Sequence, residues 1–165
     1  MTDFADFLDY YEKVRARTLR VAACIPPDKI EWKIKEGMFS LGDILRHLGA
    51  IERYMYAENA QLKPSRYKGC GTELASGFDN VISFLNKTHE ESMSILRLLS
   101  QEDINKKCET PGGAPITVWK WLRLMPEHEI HHRGQLDTYL SVLGVEAPPI
   151  YGLTSEQVIE RSSNG

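Results

Sequence analysis

The amino-acid sequence predicts an all-α protein, a four-helix bundle in a single domain. Four long segments have apolar residues at helical spacing, no segment shows convincing strand alternation, and the chain has no internal repeat or second-domain linker. Four helices of about 20 residues joined by loops pack most simply as a four-helix bundle. We therefore assign residues 1–165 to one domain and residues 152–165 to its C-terminal tail.

The first two helices have clear end signals. The first helix is predicted from about Asp3 to Ala23, where the sequence IPPDK ends it. The second begins at SLGD, in which Ser40 can cap the helix and Asp43 can return a hydrogen bond to the cap. Apolar residues at helical spacing extend this helix to about Leu62.

The last two helices are predicted from roughly Phe78 to Leu99 and from Thr117 to about Leu143, where Gly144 supplies a stop. The sequence CETPGGAPIT between them is rich in turn-forming residues and could hold a short extended segment.

Composition excludes several classes of partner. The net charge is −3 and the basic residues are scattered, which gives no electrostatic footprint for nucleic acid or an anionic membrane. No apolar run approaches the ~20 residues of a membrane span, and the acidic N-terminus lacks the features of a secretory signal. Cys24, Cys70 and Cys108 are isolated and odd in number, which favours reduced thiols. We expect a cytoplasmic protein.

The stretch PEHEIHHRGQL carries the chemistry of the fourth helix. His128 and His132 are four residues apart, so they lie on the same face and can point at one ion. Their stripe is apolar at both ends, and an unpaired imidazole buried there is costly.

A third histidine lies on the second helix. His47 occupies an apolar stripe between Ile44 and Ile51, and a lone histidine there is often a satisfied core residue. Together with His128 and His132, however, it predicts one divalent ion held between two helices, with an open coordination position typical of catalytic sites. Imidazoles suit zinc, nickel, iron and copper alike, and we favour zinc or nickel.

Two polar residues near this pair have alternative roles. Glu129 could act as a general base, but we favour an ion pair with Arg133, which has the favourable acid-first i,i+4 spacing. Gln135 could hydrogen-bond either a ligand or a neighbouring helix.

The remaining residues of interest are weaker candidates. Tyr54 and Tyr139 lie on the two histidine stripes and are candidates for a substrate pocket. His131 is predicted beside the site or on the surface, and His89 as an ordinary residue. Gly134, inside a helix, predicts close approach of another helix because glycine costs ~1 kcal/mol there.

Taken together, SLGDILRHLGAIERY, GGAPITVWKWL, HEIHHRGQL and the trailing LGVEAPPIYG resemble the DinB/YfiT-like superfamily of metal-dependent enzymes, which is unrelated to the similarly named DNA polymerase. The resemblance extends from the first helix to about Gly152. It implies an up-down-down-up bundle with a short irregular connection before the last helix, a homodimer, and a divalent metal on His47, His128 and His132.

The resemblance also implies candidate reactions. Members of the superfamily catalyse thiol-dependent transfer and isomerisation with low-molecular-weight thiols such as bacillithiol or mycothiol. The favoured hypothesis is a metal-dependent transferase that joins such a thiol to a small electrophilic substrate, with no protein nucleophile and no cysteine near the histidines. The alternatives are a metal-dependent hydrolase and a non-catalytic metal-binding dimer. Apolar residues on more than one face of FADFLDYY also favour a dimer.

A metalloprotease is a further alternative, because residues 128–132 spell H-E-x-x-H. No histidine follows His132, which excludes the H-E-x-x-H-x-x-G-x-x-H type. A glutamate ligand at position 146, 156 or 160 remains possible, although APPIYG suits a loop better than a ligand-bearing helix.

Overall fold

The computed structural model describes residues 3–163, and it is almost entirely helical. The helices are α1 (Phe4–Ala22), α2 (Leu41–Ile51), α3 (Ala57–Ala60), α4 (Phe78–Leu96), α5 (Gln101–Asn105), α6 (Val118–Leu122), α7 (Leu124–Val142) and α8 (Ser155–Ser163). The strands β1 (Lys107–Glu109) and β2 (Pro115–Thr117) lie between α5 and α6. The long helices α1, α2, α4 and α7 confirm the predicted all-α four-helix bundle. Within residues 3–163, no helix is long and apolar enough to cross a membrane.

Helices α2 and α4 run parallel and approach each other closely at Gly49. A Cβ atom on Gly49 would lie 2.6 Å from Thr88 Oγ1 and 3.4 Å from Leu85 Cα, so only glycine fits there. The predicted close approach at Gly134 is wrong, because a Cβ atom on that residue would meet no atom within 4 Å. The glycine that permits helix packing is therefore in α2 rather than in α7.

Helices α1 and α7 also run parallel. Near the start of α1, the Phe7 ring meets Trp119 of α6 at 5.2 Å, and further along Arg15 pairs with Glu129 of α7. Because α1 is antiparallel to α2, these pairings give the up-down-down-up order.

The predicted helix ends are confirmed at two positions. The Ser40 side chain accepts from the Asp43 N–H, and the Asp43 carboxylate accepts from the Ser40 N–H, both at 2.9 Å. Helix α7 ends at Gly144, whose φ of 72° allows the Val145 N–H to bond the Leu140 carbonyl.

The second predicted helix is not continuous. Residues Glu52–Tyr56 form a π-helical turn between α2 and α3, in which the Ala57 N–H bonds the Glu52 carbonyl. A π turn holds more residues than an α turn, so it changes which later side chains face the core. As a result Tyr56 is buried, whereas Tyr54 is only partly buried.

The connection before the last helix contains the predicted extended segment. β1 and β2 form an antiparallel hairpin in which Cys108 lies opposite Ile116. Residues 155–163, predicted only as tail, form α8, whose side chains are all exposed.

A polar layer divides the interior of the bundle into two apolar clusters. One cluster includes Phe7, Met93 and Trp121, and the other includes Val21, Ile44 and Leu140. On α1, α4 and α7, and in the π-helical turn after α2, buried polar residues fall between the two clusters; they include Arg15, Thr18, Glu52, Thr88, His89, Ser92, Glu129, His132 and Arg133. The candidate site lies at this layer.

Candidate metal centre

Three imidazole rings from α2 and α7 converge on one point. His128 Nε2 lies 3.0 Å from His47 Nε2 and 3.1 Å from His132 Nε2. One nitrogen from each ring lies within 4.8 Å of the other two. We call His47, His128 and His132 the three-histidine cluster.

The spacing of these nitrogens fits a bound divalent ion. Zn–N bonds of 2.0–2.1 Å at tetrahedral angles separate ligand nitrogens by roughly 3.3 Å, close to the separations about His128 Nε2. Neutral imidazole nitrogens that face each other repel through their lone pairs, and a shared cation removes this repulsion. The donor set therefore suits zinc, nickel or another imidazole-binding metal.

Gln135 fixes the proton of one imidazole. Its Oε1 lies 2.6 Å from His132 Nδ1, and because an amide oxygen only accepts, His132 carries its proton on Nδ1. The lone pair is then on Nε2, directed at the cluster. Gln135 thus bonds a histidine of its own helix rather than a neighbouring helix.

Tyr67 plays the same role for His47, although the sequence does not predict it. Its hydroxyl lies 2.7 Å from His47 Nδ1. With His47 Nδ1–H donating to this oxygen, Nε2 again carries the lone pair. Burial and the neighbouring Cys70 raise the pKa of Tyr67, so a cysteine lies closer to the histidines than the sequence predicts. Both residues belong to an irregular segment that has no periodicity to reveal them.

All three imidazoles are held in the neutral form. Burial, followed by the charge of His132, lowers the pKa of His47 to about 4. Burial, followed by the other histidines, lowers the pKa of His128 to about 3. Burial also lowers the pKa of His132, against the opposing effect of its bond to Gln135. No carboxylate contributes to these shifts, so no negative neighbour favours protonation of the imidazoles. Their nitrogens are therefore available to bind a metal cation.

The two predicted tyrosines do not contact the three-histidine cluster. The π-helical turn removes Tyr54 from the histidine stripe, and its ring instead lies between the guanidinium groups of Arg53 and Arg66, 5.6 Å from each. Tyr56 takes its place in the core, with its ring centroid 6.3 Å from that of His128. The predicted position of Tyr54 on the histidine stripe is therefore wrong.

Tyr139 lies further along α7 and has no hydrogen bond to the three-histidine cluster. Its hydroxyl donates to the Phe39 carbonyl at 3.1 Å, and the Phe39 ring lies 5.6 Å from that of His47. His131 is exposed, as predicted for a residue beside the site, and its ring lies 5.0 Å from that of His132.

Glu129 faces α1 rather than Arg133. It is only 1% exposed, and its Oε2 accepts from Arg15 at 2.9 Å and lies 3.0 Å from the Tyr11 hydroxyl. Arg133 donates to the Val14 carbonyl instead. The predicted Glu129–Arg133 pair is wrong, since no ion pair joins these residues in the described part of the chain. A general base at this position would have to act while held by Arg15.

Arg15, Tyr11 and Glu129 belong to a larger group together with Glu52 and His89, which we call the buried charge cluster. Arg15 also donates to Glu52, and His89 Nδ1 lies 2.9 Å from Glu52 Oε1. Burial opposes a charge on His89, but the hydrogen bond and negative charge of Glu52 outweigh burial and raise its pKa. The interpretation of His89 as ordinary is wrong, because this buried imidazole is hydrogen-bonded to the buried carboxylate of Glu52.

With the geometry established, comparisons with known proteins define the family. The model of the DinB superfamily matches residues 10–136, which include all three histidines of the cluster. The chain belongs to the DinB superfamily. The predicted membership is thereby confirmed.

Relatives in this family have the same fold. An uncharacterized protein of Bacillus subtilis (strain 168), YjoA, is 26% identical over 140 residues, which cover 81% of this chain and 86% of YjoA. The crystal structure of YjoA matches with a TM-score of 0.72 at 21% identity, over 88% of this chain and 97% of that one. A DinB-like protein from Bacillus cereus ATCC 10987 matches with a TM-score of 0.72 at 17% identity, over 87% of this chain and 94% of that one. At these identities the two structures support the fold alone.

Proposed function

We propose that this DinB-family protein binds one divalent metal ion, zinc or nickel, through His47, His128 and His132, and that the loaded protein is an enzyme. The observation that carries the proposal is the convergence of three Nε2 atoms, with His128 Nε2 3.0 and 3.1 Å from the other two. Tyr67 and Gln135 support it, because they occupy the Nδ1 atoms of His47 and His132 and leave Nε2 free.

The reaction that fits this site best is transfer of a low-molecular-weight thiol to a small electrophile. A divalent ion on three neutral ligands keeps its full charge, and such an ion lowers the pKa of a thiol or water in its open position. Sulfur forms a bond to the electrophilic carbon, the leaving group departs with its bonding electrons, and the thiol proton passes to solvent. The chain itself contributes the fixed imidazoles and the exposed neighbours Phe39 and His131 at the edge of the site.

This function can be tested with a generic electrophile. Metal-loaded protein is mixed with several low-molecular-weight thiols and with chlorodinitrobenzene or monobromobimane, and conjugate formation is followed optically. We expect conjugation above the uncatalysed rate that disappears in His132→Ala. His89→Gln is the matched control, because His89 lies outside the three-histidine cluster and should leave conjugation in place.

The hydrolase is the alternative enzyme. If no thiol accelerates conjugation, while an ester or amide from a panel is hydrolysed only by the metal-loaded protein, the thiol transferase is wrong and the hydrolase replaces it. If the protein binds metal and neither reaction is accelerated, the non-catalytic metal-binding alternative replaces both.

We also propose that the protein is a homodimer. Large apolar side chains remain exposed on α7, including Ile130 at 38% and Val142 at 59%. Sedimentation at micromolar concentration should give a species of twice 18.8 kDa. A single 18.8 kDa species would contradict the dimer.

A further inference from the structure

A cleft of about 640 Å³ lies between the β-hairpin and the segment that follows α3. Its lining includes Asn59, Leu62, Lys63, Tyr67, Lys107 and Glu109. The volume is in the range of small-molecule sites. Tyr67 forms part of the wall, so the cleft and the three-histidine cluster are separated by a single side chain.

Asn59 brings an unsatisfied acceptor to this cleft. The residue is only 3% exposed, and its Nδ2 donates to the Lys63 carbonyl at 3.0 Å. Its Oδ1 is buried and has no hydrogen-bond partner in the part of the chain that the structure describes. Buried polar atoms are nearly always hydrogen-bonded, and an exception points to a missing ligand or a stored cost. The Asn59 Oδ1 atom is therefore free to accept a hydrogen bond from an N–H or O–H group of a ligand.

The backbone beside Asn59 is strained. Leu62 has a φ of 61°, and among residues 3–163 it is the only non-glycine residue with a positive φ. Its N–H bonds the Asn59 carbonyl, and its side chain is 52% exposed. Strained residues of this kind cluster at ligand sites, where the surrounding structure maintains them. Leu62 thus supports a binding role for the same cleft.

The charged side chains of the cleft have both signs. Lys107 and Glu109 are the two exposed positions of β1, on the same side of the strand, and neither forms an ion pair with any residue from 3 to 163. The Lys63 ammonium donates to the amide oxygen of Gln61, which leaves its charge uncompensated. The cleft therefore offers two cations, one anion and one neutral acceptor.

We propose that this cleft binds an α-amino acid, and an acidic one in preference to others. The α-carboxylate and a side-chain carboxylate pair with Lys63 and Lys107, and the ammonium group donates to Glu109 and to Asn59 Oδ1. The site is distinct from the three-histidine cluster and does not depend on the proposed metal chemistry.

Isothermal titration of the full chain with L-glutamate, L-alanine, L-lysine and glutarate tests this proposal. L-Glutamate should bind most tightly, L-alanine more weakly and L-lysine least. Glutarate lacks the ammonium group, so its affinity should be lower than that of L-glutamate by a factor of about ten or more.

Substitutions locate the binding. Lys107→Ala and Glu109→Ala alter exposed side chains, and each should lower the affinity for L-glutamate about tenfold. Lys87→Ala, an exposed lysine on α4, should have no effect. His128→Ala should retain binding, which separates this site from the metal centre. The proposal is overturned if L-glutamate gives no saturable heat, if glutarate binds equally well, if Lys107→Ala has no effect, or if His128→Ala abolishes binding.

Discussion

The three-histidine cluster and the buried charge cluster occupy the same polar layer, but they shift the pKa of histidine in opposite directions. His128 and Glu129 are adjacent in α7, yet one side chain points to His47 and the other to Arg15 of α1. Burial and neighbouring histidines lower the pKa of His128 to about 3. His89 is also buried, but Glu52 raises its pKa.

The difference lies in the presence of a counter-charge. The buried charge cluster contains two carboxylates, a guanidinium and an imidazole that can protonate, so its charges are balanced within the chain. No carboxylate among residues 3–163 forms a hydrogen bond or ion pair with the three-histidine cluster, so its imidazoles stay neutral and their lone pairs are available. We infer that the first cluster holds the helices together and that the second is built to receive a cation from outside.

The largest effect on stability should come from removing the buried guanidinium. Arg15→Met leaves Glu52 and Glu129 without their cation, and breaking a buried pair in this way costs about 3–5 kcal/mol. Urea unfolding of the metal-free protein measures this change. Arg17→Met is the control, because the Arg17 guanidinium only lies over the Tyr151 ring at 5.6 Å, and we expect a loss below about 1 kcal/mol. Equal losses in the two variants would contradict a structural role for the cluster.

The residues that orient the imidazoles should have an intermediate effect on metal affinity. Tyr67→Phe and Gln135→Leu remove the partners of His47 Nδ1 and His132 Nδ1, and such changes typically weaken metal binding about 10–100-fold. Competition with a chromogenic chelator measures the affinity.

Tyr139→Phe provides the matched control for Tyr67→Phe. It removes a hydroxyl that bonds only the Phe39 carbonyl, so the metal affinity should not change. If Tyr67→Phe binds metal as tightly as Tyr139→Phe, the hydrogen bond from His47 has no part in metal binding.

The smallest expected effect is a difference in pH dependence between the two clusters. The folded pKa values of His47 and His128 are about 4 and about 3, below the ordinary 6.5. The unfolded chain therefore binds more protons below pH 6.5, and these residues make the metal-free protein less stable as the pH falls. The folded pKa of His89 is raised, so its contribution is present below pH 6.5 and is lost as the pH rises through the folded pKa.

Unfolding free energies measured on both sides of pH 6.5 can separate the contribution of the three-histidine cluster from that of His89. His89→Gln should flatten the decline above pH 6.5, and His128→Gln should flatten the decline below it. The comparison fails if His89→Gln changes the acidic side of the profile and leaves the alkaline side as it was.

The sequence was sufficient for the elements governed by local rules. Helical periodicity located the four long helices, the SLGD motif predicted the capping box, and i,i+4 spacing placed His128 and His132 on one face. His47 was found because a polar residue interrupts an apolar stripe. In each case the signal is contained within one or two helical turns.

The predictions that failed depended on contacts distant in sequence. Glu129 could have paired with Arg133 one turn away, but the guanidinium of Arg15 reaches it from 114 positions earlier. The π-helical turn has no local signature, so Tyr54 was placed on the wrong face. Tyr67 lies in an irregular segment, where position along the chain does not indicate which side chains meet.

Metal content tests the central claim most directly. We compare the parent with four variants purified identically: His47→Ala, His128→Ala, His132→Ala and His89→Gln. The metal content of the folded protein is measured by elemental analysis. We expect one divalent ion per chain in the parent and in His89→Gln, and a strong reduction in each of the three alanine variants. Equal metal content in His47→Ala and the parent would contradict the assignment of the metal to the three-histidine cluster.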